Sequence, residues 1–250
     1  MEKIFFTNNR RLKLCGVLET ANSASKEVVV MVHGYSSGKD SSTYVMLAKA
    51  FSEKNLNSFR FDLAGNYESE GKFEEQTIST MVEDINAAVK MLQKRGFEVF
   101  DVIGSSGGGL ASMVFALKFK LNKLALIAPV SDYPSQRQKK YGDTGLKEWK
   151  EKGFNYFNAA RRGLLKVNYS FYEDAKQHVM REKAREIKCQ VFIVHGDKDE
   201  SVPLEDSVQL VKFLPNTKLE VFKGASHRFT EPGQKEALVK IIAGWLARKP

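Results

Sequence analysis

The sequence predicts an α/β fold: a mostly parallel, twisted sheet flanked by helices and broken by one small insertion. Three observations predict it. Short runs rich in Val, Ile, Leu and Phe, the composition of strands buried on both faces, alternate with longer stretches whose apolar residues recur at helical spacing. Gly, Pro, Asn and Asp mark the turns between them. The 250 residues, 42% of them hydrophobic, are enough for one large α/β domain.

The elements follow in order. Residues near 4–7 and 11–18 read as a leading hairpin, and Val28 to His33 and Ser58 to Asp62 as the next strands. Ile78, Met81, Val82, Ile85, Val89 and Leu92 form one face of a helix. Val99 to Ile103 is a strand, with helical periodicity resuming from Leu110, and Lys123 to Pro129 is another strand. Residues 131–188 interrupt the alternation with charged and aromatic residues. It returns with strands at Cys189 to Gly196 and Lys218 to Phe222, then a helix striped by Leu238, Ile241, Ile242, Trp245 and Leu246. The expected organisation is a core of 1–130 and 189–250 with 131–188 inserted. No internal repeat or low-complexity tract is present.

Gly104-Ser105-Ser106-Gly107-Gly108 is a G-x-S-x-G pentapeptide placed where a strand meets a helix. A sharp strand-to-helix turn strains its corner residue, and glycines two before and two after keep neighbouring groups from colliding. Ser106 is therefore the candidate nucleophile, beside free N–H groups at the helix start, Gly107's among them, that can stabilise developing negative charge. A second copy, Gly34-Tyr35-Ser36-Ser37-Gly38, runs on into polar Lys39-Asp40-Ser41-Ser42, so Ser36 belongs to a loop without that context. Ser105 fits no frame, since Ile103 stands where a leading glycine would be needed.

A nucleophilic serine needs a base and the base an orienting acid, here expected downstream in the order acid, then histidine. Asp197-Lys198-Asp199-Glu200 follows one strand and Gly224-Ala225-Ser226-His227 the next, each just past a C-terminal strand end, where open α/β sheets place ligands.

Together these residues resemble the α/β-hydrolases over nearly the whole chain, particularly small acyl esterases of the cinnamoyl and feruloyl type and serine aminopeptidase-like hydrolases. The matching residues are His33-Gly34-Tyr35, Phe61-Asp62 with Gly65 to Gly71, Gly104 to Gly108, His195-Gly196-Asp197-Lys198-Asp199 ending in Val202-Pro203, and Gly224 to His227. The resemblance implies Ser106 as nucleophile, Asp199 as acid, His227 as base, and the backbone N–H groups of Tyr35 and Gly107 as the oxyanion hole. It also implies that the insertion at 131–188 is a cap over the site. Two positions depart from the pattern: Asn66 and Tyr67 replace the histidine and second glycine of G-H-G-x-S-x-G, and Gly107 stands where cinnamoyl esterases often carry glutamine.

Competing residues have blander readings. Asp197 is a turn-former, since the G-x-x-D spacing with Val202-Pro203 three residues on selects Asp199. Glu200 reads as a solvated turn residue, His33 and His195 as structural histidines at strand ends, and His178 as a surface residue.

Composition narrows the function classes. No apolar run approaches the ~18 residues of a membrane span, and the N-terminus lacks a secretory pattern, so the expectation is a cytoplasmic protein. Cys15 and Cys189 suit reduced thiols, no metal-ligand cluster is present, and no dissociable cofactor is implied. Without a signal peptide, Asn168-Tyr169-Ser170 is a chance match to a glycosylation acceptor. The net charge is +9, and residues 131–188 hold 14 Lys and Arg against 8 Asp and Glu. Basic and acidic residues are interspersed without a recognition motif, which argues against nucleic acid. The bland reading of the basic insertion is a solvated surface over a small aromatic core; the sharper one is that it draws in anionic acyl substrates.

The expected chemistry is two-step acyl transfer from a small-molecule ester to Ser106 and then to water. A peptidase or amidase, an acyltransferase, and a catalytically silent binding protein on the same fold stay open at this level.

Overall fold

The structure is a computed structural model that describes residues 1–159 and 162–248. Its centre is an eight-stranded sheet built from β1 (Glu2–Thr7), β2 (Lys13–Glu19), β3 (Glu27–Val32), β4 (Asn57–Phe61), β5 (Val99–Ser105), β6 (Lys123–Ile127), β9 (Gln190–Gly196) and β10 (Thr217–Phe222). Their order across the sheet is β1-β2-β4-β3-β5-β6-β9-β10. From β4 to β10 all neighbours are parallel, and the β1–β2 hairpin adds antiparallel to β4 at one edge.

Strand alternation divides the core into two layers. On β3, Val28, Val30 and Val32 face one layer and Val29 and Met31 the other, all fully buried. The first layer is covered by α2 (Ile78–Lys94) and α3 (Gly107–Ala116), whose Ile78, Met81, Ile85, Leu110 and Met113 fill it. The second is covered by α1 (Ser42–Ser52) and α7 (Gln234–Leu246) through Leu47, Phe51, Leu238 and Ile242. Each such side chain taken from water stabilises the fold by roughly 1.5–3 kcal/mol. The strand runs and the stripes of α2 and α7 lie where the sequence predicts them; α1 and α6 (Leu204–Val211) have no counterpart in that reading.

After β3 the chain crosses to β4 on one side and later returns to β5 on the other, so the winding reverses between β3 and β5. That reversal opens a crevice at the C-terminal ends of these strands, where His33 to Tyr35 and Ser106 emerge.

Between β6 and β9 the chain forms α4 (Tyr133–Lys152), the antiparallel hairpin of β7 (Phe154–Ala159) and β8 (Gly163–Asn168), and α5 (Tyr169–Ala175). The helix α4 is kinked at Gly142, whose φ of 61° only a glycine adopts easily. Trp149 anchors the insert, edge-on to Tyr141 and Tyr169 and bonded from its indole N–H to Val167 O at 3.2 Å. Asp174 of α5 accepts from Ser79 N at 2.9 Å and from Ser79 Oγ at 2.5 Å, fastening the insert to the start of α2. His178 is not the surface residue the sequence suggests: its side chain is 17% exposed and lies between Asp174 and Ser79, a partner 99 residues away.

Candidate active site

Ser106 sits between β5 and α3 with φ 52° and ψ −122°, a conformation that costs a non-glycine residue about 1–3 kcal/mol. Its N–H donates to Ile127 O at 2.9 Å and its carbonyl accepts from Val130 N at 3.2 Å, so β6 and the chain after it hold the corner. The flanking glycines are steric requirements. A Cβ at Gly108 would stand 2.3 Å from His33 O, and one at Gly104 2.5 Å from Ser112 Oγ. The helix start is therefore pressed against both β3 and β5. Ser36, the serine of the second pentapeptide, also has a positive φ, but the chain after it makes a turn and no helix begins until Ser42.

Asp199 and His227 come from the turns after β9 and β10, which pack together: Gly224 N donates to Asp197 Oδ1 at 2.6 Å and Lys198 N to Ala225 O at 3.0 Å. Asp197 is thus a turn residue. Asp199 instead accepts His227 Nδ1–H at 2.6 Å on Oδ2, while its Oδ1 accepts Ser201 N at 2.8 Å and Val202 N at 2.7 Å. Its side chain is fully buried, and that of His227 is 15% exposed. Burial pushes the Asp199 carboxyl up, but hydrogen bonds from His195 and His227 outweigh it and leave the group well below the usual carboxylate range. An ionised carboxylate on Nδ1 fixes the tautomer that leaves Nε2 without a proton, free to accept one. Glu200, read as solvated, accepts the His227 backbone N–H at 3.2 Å.

His33 accepts Leu63 N on Nε2 at 3.0 Å and reaches its neighbour's carbonyl, Gly34 O, with Nδ1 at 2.8 Å. Burial lowers its pKa, so it stays a neutral brace for the loop that carries Tyr35. The backbone N–H groups of Tyr35 and Gly107 have no backbone acceptor among the described residues, and a Cβ at Gly107 would stand 3.9 Å from Tyr35 N. Both N–H groups therefore lie at the start of α3, next to Ser106, unused by the backbone.

Ser106 and His227 line two cavities. The larger, of about 520 Å³, is rich in hydroxyls from Ser36, Ser37, Ser41, Ser42 and Thr43. The smaller, of about 150 Å³, lies under the insert and is walled by Ile78, Leu110, Val130, Trp149, Phe157 and Phe171.

Two features beside the site were not legible in the sequence. Lys39, 2% exposed, lies 2.9 Å from Asp62, 2.6 Å from Glu68 and 3.0 Å from Asp40. Lys3 and Lys39 together hold Glu68 down to about 2. Asn66, the departure in the glycine-rich loop, accepts Arg162 Nη1–H at 2.7 Å, and the same guanidinium covers the rings of Tyr67 and Phe73. The substitution thus ties this loop to the β7–β8 hairpin. Among the described residues no group of three His, Cys, Asp or Glu is placed to hold a metal ion, and no helix is long and apolar enough to cross a membrane.

The profile of the family described as serine aminopeptidase, S33, matches residues 23–156, and that of the dienelactone hydrolase family matches residues 153–243. Among curated relatives, the mitochondrial palmitoyl-protein thioesterase ABHD10 of Bos taurus is 24% identical over 226 residues, covering 86% of this chain and 71% of that protein. Among solved structures, Est1E from Butyrivibrio proteoclasticus with ferulic acid bound superposes with a TM-score of 0.84 at 23% identity over 97% of each chain. Mouse ABHD10 gives a TM-score of 0.82 at 21% identity over 98% of each. With its α/β-hydrolase fold and a family match that spans more than half of its length, the chain belongs to the serine aminopeptidase S33 family of hydrolases.

Proposed function

We propose that this protein is a serine hydrolase that cleaves carboxylic esters of small molecules through an acyl-enzyme. The observation that carries the reading is the 2.6 Å bond from His227 Nδ1 to buried Asp199, on a cavity wall that also holds Ser106 at the strained start of α3. His227 Nε2 takes the Ser106 proton as Oγ attacks the ester carbonyl, and the N–H groups of Tyr35 and Gly107 receive the oxyanion. Collapse breaks the bond to the alcohol, which leaves with the proton from His227. Water, deprotonated by His227, then releases the acid and regenerates Ser106.

The insert acts as a cap: its aromatic residues close the smaller cavity around the acyl group, and the hydroxyl-rich larger cavity takes a polar alcohol. The two free thiols, Cys15 and Cys189, suit a reducing compartment.

The family description favours a second reading, an aminopeptidase. A free α-amine needs an unpaired carboxylate, yet the only acids lining either cavity among the described residues are Asp40 and Asp62, both salt-bridged to Lys39. Long-chain thioesters, the substrates that the name of the palmitoyl-protein thioesterase relatives suggests, also fit the smaller cavity poorly. A cavity of about 150 Å³ is the size that elsewhere takes up a benzene ring. The test is labelling by a fluorescent fluorophosphonate of wild type and Ser106→Ala, with turnover of short, long and aryl p-nitrophenyl esters and of peptide amides. Labelling of wild type alone, with short or aryl esters preferred, supports the reading. Folded wild type that neither labels nor turns over overturns it in favour of a silent binding protein.

A further inference from the structure

The smaller cavity is apolar on most of its surface but not uncharged. Arg137 of α4 and Arg228 both line it, and no Asp or Glu does. Neither guanidinium has a carboxylate within salt-bridge distance among the described residues, and the acids near Arg137 are engaged elsewhere. Asp132 pairs with Arg181 at 3.0 Å, and Asp206 accepts Gln136 Nε2–H at 2.8 Å. Arg137 Nε is buried with no hydrogen-bond partner. Its guanidinium lies 4.8 Å over the ring of Tyr133, which fixes its position in the wall.

A second unpartnered group belongs to a residue that lines the same cavity. Tyr35 Oη is buried without a partner, its ring clamped by Phe73, Phe157 and Phe171 at centroid distances of 4.7, 5.4 and 5.0 Å. Burial pushes this phenol well above its ordinary value, so it is a hydrogen-bond donor at any working pH. Two buried donors left unmade in one apolar cavity are a standing cost, and one group relieves both: an anion with two acceptor oxygens.

We propose that this cavity holds the acyl half of the substrate, and that the acyl group ends in a carboxylate received by the Arg137 guanidinium, with Tyr35 Oη–H as second donor. The substrate class is an ester of a short dicarboxylic acid, or of an aryl acid carrying a second carboxyl, about the size of one ring. The proposal rests on the esterase reading above. In the reaction Ser106 Oγ bonds to the ester carbonyl carbon, the alcohol leaves with the proton from His227, and water then releases the free dicarboxylate. The distal carboxylate undergoes no change; it is bound, not transformed.

The test compares three 4-methylumbelliferyl substrates on purified protein: the glutarate hemiester, the neutral pentanoate in which methyl replaces that carboxylate, and a pentanoate whose carboxylate is on the coumarin leaving group. Wild type is expected to prefer the glutarate hemiester in kcat/KM by on the order of tenfold or more. Arg137→Met should erase that preference, and Arg137→Glu should reverse it, whereas Lys139→Met, on an exposed residue of the same helix, should keep it. Glutarate should raise the melting temperature of Ser106→Ala and leave the Ser106→Ala/Arg137→Met double variant unmoved, a readout independent of turnover. Cleavage of the pentanoate with no preference for the hemiester overturns this inference while the esterase reading stands. So does a preference for the leaving-group carboxylate, or one lost in Arg228→Met but kept in Arg137→Met. Failure of wild type to label with fluorophosphonate or to cleave any of the three overturns the esterase reading and this inference with it.

Discussion

His195 Nε2 lies 3.2 Å from Asp199 Oδ2, so the carboxylate that accepts the His227 N–H meets a second imidazole. His195 is fully buried, with Nδ1 on Ser207 Oγ at 2.7 Å and Nε2 also 3.0 Å from Val202 O. It sets where the acid sits. Asp199→Asn should therefore lower kcat/KM on the order of 10⁴-fold by presenting the wrong partner to Nδ1, with the Ser201 and Val202 N–H bonds still accepted by the amide oxygen. His195→Gln leaves the acid in place but loosens it, and should cost on the order of 10²-fold or less. Because the Asp199 pKa is depressed in the folded protein, its ionisation stabilises the fold above the unfolded value of ~3.9 and that contribution is lost as pH falls toward the folded value. The melting-temperature gap between wild type and Asp199→Asn should close below about pH 4; a gap unchanged from pH 6 to 3 would contradict the assignment.

The helix start gives a paired steric prediction. Gly108→Ala drives a Cβ to 2.3 Å from His33 O, where backbone must move, and should cost several kcal/mol of stability with loss of fluorophosphonate labelling. At Gly107 the nearest atom to a new Cβ is Tyr35 Cβ at 3.8 Å, ordinary contact, so Gly107→Ala should melt within about 2 °C of wild type. Thermal melts of the two variants decide it; equal destabilisation would show that this corner is not packed as described.

The Asn66–Arg162 pairing predicts how the insert is held. Asn66 is fully buried and also donates from Nδ2 to Leu63 O at 3.3 Å and Ala64 O at 3.2 Å. Asn66→Ala removes three bonds and leaves Leu63 O only the backbone N–H of residue 66, Ala64 O only Gln76 Nε2 and the Arg162 guanidinium only Gly65 O, an expected loss of about 1–3 kcal/mol. Arg162→Met keeps the loop but frees the hairpin, and should raise KM several-fold with a smaller change in kcat and faster proteolysis at the hairpin. A KM unchanged in Arg162→Met would mean that this contact does not position the insert over the smaller cavity.

These relationships divide along what a sequence can carry. The strands, the stripe of α2 and the serine corner were legible because each is a local pattern: a Val-rich run such as Glu27–Val32, apolar residues at helical spacing, a pentapeptide at a strand end. Asp199 and His227 were legible because each follows its own strand at fixed spacing. The helix α1 was lost because its stripe of Tyr44, Leu47, Ala48 and Phe51 is short and preceded by a glycine- and serine-rich loop. The hairpin of β7 and β8 was lost because Phe154–Ala159 is half asparagine and small residues, with an aromatic only at alternate or adjacent places. Contacts such as Arg162 on Asn66 and His178 on Ser79 join distant segments, as does the cavity that Arg137 and Tyr35 both line, and no local pattern encodes them.

Away from the site, Asp101 on β5 is fully buried, its Oδ1 accepting from Asn122 Nδ2 at 2.9 Å and its Oδ2 without a partner. Burial, reinforced by the neighbouring Glu27 carboxylate, pushes it up to about 7, against ~3.9 in the unfolded chain. The sign is opposite to that of Asp199. The folded state binds a proton that the unfolded state has already lost, so stability falls as pH rises from ~4 through about 7 and is level above. Asp101→Asn removes the titration while preserving the oxygen that Asn122 reaches. The variant should melt close to wild type at pH 4.5 and several degrees higher at pH 8, since ~1 kcal/mol moves a domain of this size by roughly 2–4 °C. If Asp101→Asn instead loses stability equally at both pH values, Asp101 is ionised in the fold and paired with Lys123, whose charge opposes the shift.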